Sequence, residues 1–222
     1  MEKRNIFWVL ITSGIAIVAL LIAINLIFKK DTVNEGKFRV SDVILTSTAE
    51  ITNKTNINNA WSIDLSQKNK LSLLITRAEG ANVKSIRLTD ITINKGNVIL
   101  FEDGNESKIN LSSEKQNLDI EKTFDSNNNM LIEIMALNEN ILKNWNIPEG
   151  TNEIIYDGRI FETAGMSLKD INFKLKFNLK ITEDSGKVSI LKVDLALPSE
   201  ELIKNGADVR RLALDNFKFK VL

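Results

Sequence analysis

The chain has 222 residues, 29 Lys+Arg balanced by 29 Asp+Glu, and neither cysteine nor histidine. Without cysteine there are no disulfides, thiolate metal sites or cysteine nucleophiles, and without histidine no imidazole zinc ligation or Ser-His-Asp triad. The balanced charge offers no electrostatic ground for nucleic-acid binding, so the chemistry left open is that of paired carboxylates, Ser-Lys arrangements and oxygen-ligated cations.

The first predicted element is Ile6 to Phe28, IFWVLITSGIAIVALLIAINLIF, which no charged residue interrupts. As a helix rising about 1.5 Å per residue it would span about 34 Å, enough for the ~30 Å hydrocarbon core of a bilayer. Trp8 falls near one interface, and Lys29 and Lys30 close the other. A cleaved leader would carry a shorter apolar run and an A-x-A site, whereas NLIFKKD follows here. The stretch reads as an uncleaved signal-anchor, with the lipid bilayer as the partner of residues 6–28. Thr12/Ala16 and Ala19/Ala23 are small-xxx-small pairs, read as ordinary alanine usage rather than a dimerisation face.

Orientation rests on two opposed arguments. Counting Lys3 and Arg4 against Lys29, Lys30, Lys37 and Arg39 favours a cytoplasmic C-terminal side. Long domains translocate largely regardless of that count. The reading is therefore a short cytoplasmic tail (1–5), the anchor (6–28), a polar juxtamembrane linker (29–37) and an extracytoplasmic domain (38–222). A cysteine-free domain behind such an anchor points to a bacterial cell membrane and envelope.

From Phe38 onward the period is two. INFKLKFNLKI (171–181) alternates apolar with polar residues throughout, the signature of an antiparallel strand with one buried and one wet face. Further strands are predicted at 38–51, 71–77, 84–94, 97–102, 107–111, 118–123, 130–136, 153–162, 187–197 and 211–222. EDGNES (102–107) and EDSGK (183–187) read as hairpin loops and DSNNN (125–129) as a polar loop. A short helix is predicted at 199–205, with Ser199 as its cap, Glu200 and Glu201 in its first turn and Gly206 just past its end. A helical turn is predicted around 137–145. Many strands and few helices imply an all-β, antiparallel β-sandwich-like domain.

One phrase recurs, apolar-x-apolar-x-Asp/Asn-apolar-x-apolar, centred on Asp42, Asp90, Asp170 and Asn216. Its change of phase predicts a β-bulge or bend, where Asp and Asn can bond the local backbone. The spacings within Asp42/Asp90 and Asp170/Asn216 are similar. They raise two related β halves, 38–124 and 130–222, as an alternative to one domain.

Candidate sites are few. Lys174, Lys176 and Lys180 share the wet face of one strand, and Lys218 and Lys220 that of another. Together they are the candidate face for an anionic ligand, against the simpler reading of solvated lysines on exposed strands. Glu102, Asp103, Asn105 and Glu106 could hold a weak cation, but lack EF-hand spacing and read as a polar hairpin tip. Trp61, Trp145 and Tyr156 would stack on sugar rings if exposed together, and are read as core. No motif marks a catalytic residue, a metal site or a cofactor. The sequence therefore supports a membrane-anchored binding or scaffolding protein, not an enzyme, with an envelope protein or wall polymer as partner and no nucleic acid. The alternatives are a binding module for anionic wall polymer or glycan, and a carboxylate-dependent envelope hydrolase.

Overall fold

The computed structural model describes residues 36–57, 60–102, 105–109, 117–147, 159–197 and 200–222. The predicted anchor at 6–28 lies outside the described residues, and none of the described helices is long and apolar enough to cross a membrane. In chain order the strands are β1 (Phe38–Ile57), β2 (Ala60–Arg77), β3 (Val83–Ile93), β4 (Asn97–Glu102), β5 (Asn105–Ile109), β6 (Leu118–Asp119) and β7 (Asn129–Asn146). Helices α1 (Ile160–Thr163) and α2 (Leu168–Ile171) precede β8 (Phe173–Glu183) and β9 (Val188–Leu197). Helix α3 (Glu200–Asn205), β10 (Ala207–Arg211), a 3-10 turn at Leu214–Asn216 and β11 (Phe219–Val221) close the chain.

The strands form two sheets, ordered β10-β1-β2-β7-β4-β5 and β11-β9-β8-β3-β6, with every pairing antiparallel. The fold is therefore an all-β sandwich. Its core draws on both sheets: Leu45, Leu73 and Ile132 from the first, and Leu88, Phe177 and Leu191 from the second. Residues of both 38–124 and 130–222 line this core, and the chain from Gly36 to Leu222 is one compact unit. The edge strands β5, β6, β10 and β11 have two to five residues, which limits strand-on-strand aggregation.

Sheet lengths differ. β1, β2 and β7 run 18–20 residues, whereas β3, β8 and β9 have 10 or 11. At about 3.3 Å per residue the long strands outreach the second sheet by roughly 25–30 Å. The helices cover this overhang. Ile160 and Phe161 of α1, Ile171 of α2 and Leu202 of α3 form a second cluster with Ala49, Ile63 and Leu65. Between the two clusters the inward positions turn polar: Ser47, Gln67 and Asn69 are all buried. Gln67 Nε2 donates to Asn69 Oδ1 at 2.9 Å, while Gln67 Oε1 has no partner among the described residues.

The predicted α3 is present, with Leu202 buried and Gly206 at φ 69° where a left-handed residue ends the helix. Strands 84–94, 97–102 and 187–197 fall within a residue or two of their predicted limits, and 107–111 is displaced to 105–109. Other segments correct the sequence reading. β1 runs on to Ile57 and β2 begins at Ala60, because polar stretches such as TNKTN still pair across the hairpin. Of 118–123 only Leu118–Asp119 pairs, with Arg87 and Leu88. Residues 160–162 of the predicted 153–162 strand are helical, and 153–158 lie outside the described residues. The 211–222 strand is broken by the 3-10 turn.

The predicted helical turn at 137–145 is a bulged strand. β7 carries extra residues opposite Asp64 and Ser66 of β2, with Asn140 at φ 55° and Asn144 at φ 49°. Two side chains of β2 hold the bulges: Asn140 N–H donates to Ser66 Oγ at 3.2 Å and Asn144 N–H to Asp64 Oδ1 at 2.7 Å. Each insertion shifts the phase, so Leu137, Ile141, Leu142 and Trp145 acquire a helix-like spacing on a strand.

The recurring phrase divides in the same way. At Asp42 and Asp90 it is a bulge, marked by register shifts at Val40/Asp42 and Thr89/Thr92. Asp42 Oδ1 accepts from the Val43 N–H at 3.0 Å; Asp90, at φ 55°, accepts from Asn178 Nδ2 at 2.7 Å. This slip lets Ile91 return to the core after Ile86 and Leu88. At Asp170 and Asn216 the phrase is a helical turn instead. Ser167 N–H and Oγ both donate to Asp170 Oδ2, at 2.9 and 2.6 Å. The Ser167 hydroxyl first, and its N–H second, hold the Asp170 carboxyl below its ordinary pKa.

One ion pair joins the sheets where the described chain begins. Lys37 Nζ meets Glu183 Oε2 at 2.7 Å, and the Glu183 side chain is only 4% exposed. Lys37→Ala leaves a buried carboxylate unpaired and is expected to cost about 2 kcal/mol, below the 3–5 of a fully buried pair because Lys37 is half exposed. Urea unfolding checks it. Lys37→Ala/Glu183→Gln should recover at least half of the loss, and no recovery would place the cost elsewhere.

Candidate binding face

The alternation of β8 turns Phe173, Leu175, Phe177, Leu179 and Ile181 inward and Lys174, Lys176 and Lys180 outward. β9 behaves likewise, burying Leu191 and Val193 and exposing Lys192 and Asp194. β11 adds Lys220 at the sheet edge, with exposed Lys218 just before it. Only β9 separates β11 from β8, so the two lysine groups found in the sequence share one outer face.

Register places the charges. Lys220 pairs with Ile190, Ile190 with Lys180, Lys180 with Arg87 and Arg87 with Asp119, a row across all five strands. With strands about 4.8 Å apart, Lys220 and Lys180 flank Ile190 at a separation of about 10 Å. Lys192 lies two residues along β9 on the same face. Phe219 pairs with Leu191, which brings Lys218 alongside Lys192.

Pairing sorts these lysines. Lys176 is neutralised by Asp194 at 2.6 Å, Lys218 meets Asp215 at 3.4 Å, and Arg87 pairs with Asp119. Lys174, Lys180, Lys192 and Lys220 make no ion pair among the described residues. Lys174, opposite Ala196, lies well along β8 from the others. The electropositive centre is therefore Lys180, Lys192 and Lys220 around Ile190, with the Lys218–Asp215 pair at its margin. Beside it is an open hollow of about 420 Å³, lined by Ile190, Lys192, Asp215, Lys218, Lys220 and Leu222. Exposed ammonium groups over an apolar floor can hold anionic groups by charge and apolar chains by contact.

Sequence reasoning passed over Lys192, although the alternation of VSILKVDLAL already turns it outward. Its meeting with Lys180 and Lys220 depends on strand order, which alternation does not contain.

The remaining candidates stay apart. Among the described residues no group of three or more Asp or Glu could hold a metal ion. Glu102 pairs with Asn105 across the β4–β5 hairpin, but the side chains of Glu102, Asp103, Asn105 and Glu106 lie outside the described residues, as does Tyr156. Trp145 packs on the second cluster, and Trp61 has Lys54 Nζ 4.4 Å above its ring. Smaller hollows flank residues 120–125, one of about 310 Å³ beside Arg77 and Phe124. There the Arg77 guanidinium stacks 5.0 Å from the ring and is held by Asn128 and the Ala81 carbonyl. The chain matches no known protein family, no curated protein and no solved structure.

Proposed function

We propose that this chain is a single-pass membrane protein of the cell envelope whose β-sandwich binds or scaffolds outside the cytoplasm, without catalysis. The observation that carries the reading is the uncharged run from Ile6 to Phe28, followed after a short linker by a sandwich that begins at Gly36. Exposed Ser126, in the loop before β7, offers a test in a chain with no other thiol. In intact cells Ser126→Cys is expected to react with a membrane-impermeant maleimide. Labelling only after lysis would place the sandwich in the cytoplasm.

A second reading, a module for anionic wall polymer or glycan, draws support from the lysines of β8, β9 and β11 that lack ion-pair partners among the described residues. Polymer retention that survives Lys180→Glu/Lys192→Glu/Lys220→Glu would remove it.

A further inference from the structure

The basic face has a location as well as a charge. Gly36, the first described residue, lies against β11: a Cβ placed on it would meet Val221 Cγ2 at 3.3 Å. Two residues on, the Phe38 ring is 6.2 Å from that of Phe219. The chain thus joins the sandwich at the edge strand that carries Lys220, beside the hollow whose lip is Leu222. Residues 29–35 reach at most about 25 Å when fully extended. The inference rests on reading residues 6–28 as the membrane anchor, which holds the β11 edge within that reach of the lipid headgroups.

We propose that the sandwich lies against the bilayer by this face, setting Lys180, Lys192 and Lys220 on anionic lipid headgroups with Leu222 at the interface. Charge selects the face. On the opposite sheet Lys68 and Lys70 are paired, with Glu50 at 2.6 Å and Glu133 at 3.0 Å, whereas Lys180, Lys192 and Lys220 have no ion-pair partner among the described residues. The end of the sandwich next to Gly36 mixes Glu79, Asp125 and Asp184 with Lys84 and Lys187, so an end-on approach gains little from charge. Like charges clustered across neighbouring strands work against folding, and a negatively charged surface relieves them.

The chemistry selects the occupant. A pocket for one particular phosphate uses arginine forks or buried donors with fixed geometry. Here the cations unpaired among the described residues, Lys180, Lys192 and Lys220, are all lysines, each exposed or half-buried, on a shallow face. Flexible ammonium groups of this kind suit a fluid array of headgroups. Attraction acts only within about a Debye length, ~10 Å at moderate salt, a separation that the short linker allows.

The test uses the full chain in vesicles of phosphatidylcholine, with or without phosphatidylglycerol. One fluorophore is attached at Leu222→Cys or at Leu131→Cys, and a spin-labelled headgroup quenches it. Leu131 is exposed on the outer face of the opposite sheet. The expected result is stronger quenching at 222 than at 131 in phosphatidylglycerol vesicles, lost at high salt. In Lys180→Gln/Lys192→Gln/Lys220→Gln each neutralised lysine should lower the ratio of docked to lifted-off protein about fivefold. These side chains support no core contact and their mutual repulsion is removed, so an unchanged or raised urea midpoint confirms that the variant is folded. Equal quenching at both positions, with protein that still floats with the vesicles, overturns the proposal and leaves the anchor standing. Protein that does not float overturns the anchor reading itself. A response at 222 to soluble poly(glycerol phosphate), without any response to lipid charge, also overturns the proposal and gives the face to a wall polymer.

Discussion

Gly96→Ala is expected to destabilise the sandwich by more than about 3 kcal/mol, as a left-handed residue with a Cβ costs about 1–2 and a backbone collision adds to it. Gly96 has φ +80°, and a Cβ built there would lie 2.0 Å from the Leu137 carbonyl oxygen and 2.8 Å from Asn138 Cα. Neither neighbour can swing aside, because both are backbone and Leu137 pairs with Asn97 of β4 and Lys68 of β2. Relief requires β4 to leave β7, which would expose Val98 and Leu100 from the core. Gly80 supplies the control: its φ is +75°, but nothing lies within 4 Å of a Cβ there. Gly80→Ala should therefore cost only the conformational part, about 1–2 kcal/mol. Urea midpoints of the two variants decide it, and equal losses would mean that close approach to β7 contributes nothing.

Phe177→Ala and Phe161→Ala should each cost about 3–5 kcal/mol, as large-to-small changes do in a packed interior, yet in different places. Phe177 is 2% exposed in the core shared by the sheets; Phe161 is fully buried in the helix-covered cluster. Ser47, Gln67 and Asn69 lie between the two, so apolar packing is interrupted there. The bulges at Asn140 and Asn144 weaken the β2–β7 ladder on the same side. Phe161→Ala should consequently loosen the overhang by itself. Amide exchange should rise over 60–65, 138–146 and 200–205 while 71–75 and 173–181 keep their protection. Phe177→Ala should lower protection throughout. Uniform loss in both variants would show that the seam does not divide the unit.

Much of this fold is legible in the chain. Strict alternation located β8, because in an antiparallel sheet with one wet face burial alone decides each residue. Cap chemistry located α3, since a helix end has local requirements that Glu200, Glu201 and Gly206 meet within a few residues. The bulges of β1 and β3 were legible as slips of phase at Asp42 and Asp90. The same phrase misled at Asp170 and Asn216, where Ser167 or the following Phe217 closes a turn before a partner strand can pair. Around Asn140 and Asn144 the pattern misled in the opposite direction, because the groups that satisfy those bulges, Ser66 and Asp64, lie more than 70 residues away in sequence.

The candidate face divides along the same line. That Lys174, Lys176, Lys180, Lys218 and Lys220 point to water follows from period two and needs nothing beyond their neighbours in the chain. Which lysines share a surface, which are neutralised by Asp194 or Asp215, and which lie next to the start of the sandwich follow from the order β11-β9-β8 and its register. The apolar run at 6–28, the all-β class and the wet side of β8 are written in the chain, because these depend on covalent neighbours and on burial as such. The helix-covered overhang, the buried polar seam and the basic cluster around Ile190 emerge from the packed fold alone. Each depends on pairings between distant segments, and strand order is a property of the packed whole that no local period encodes.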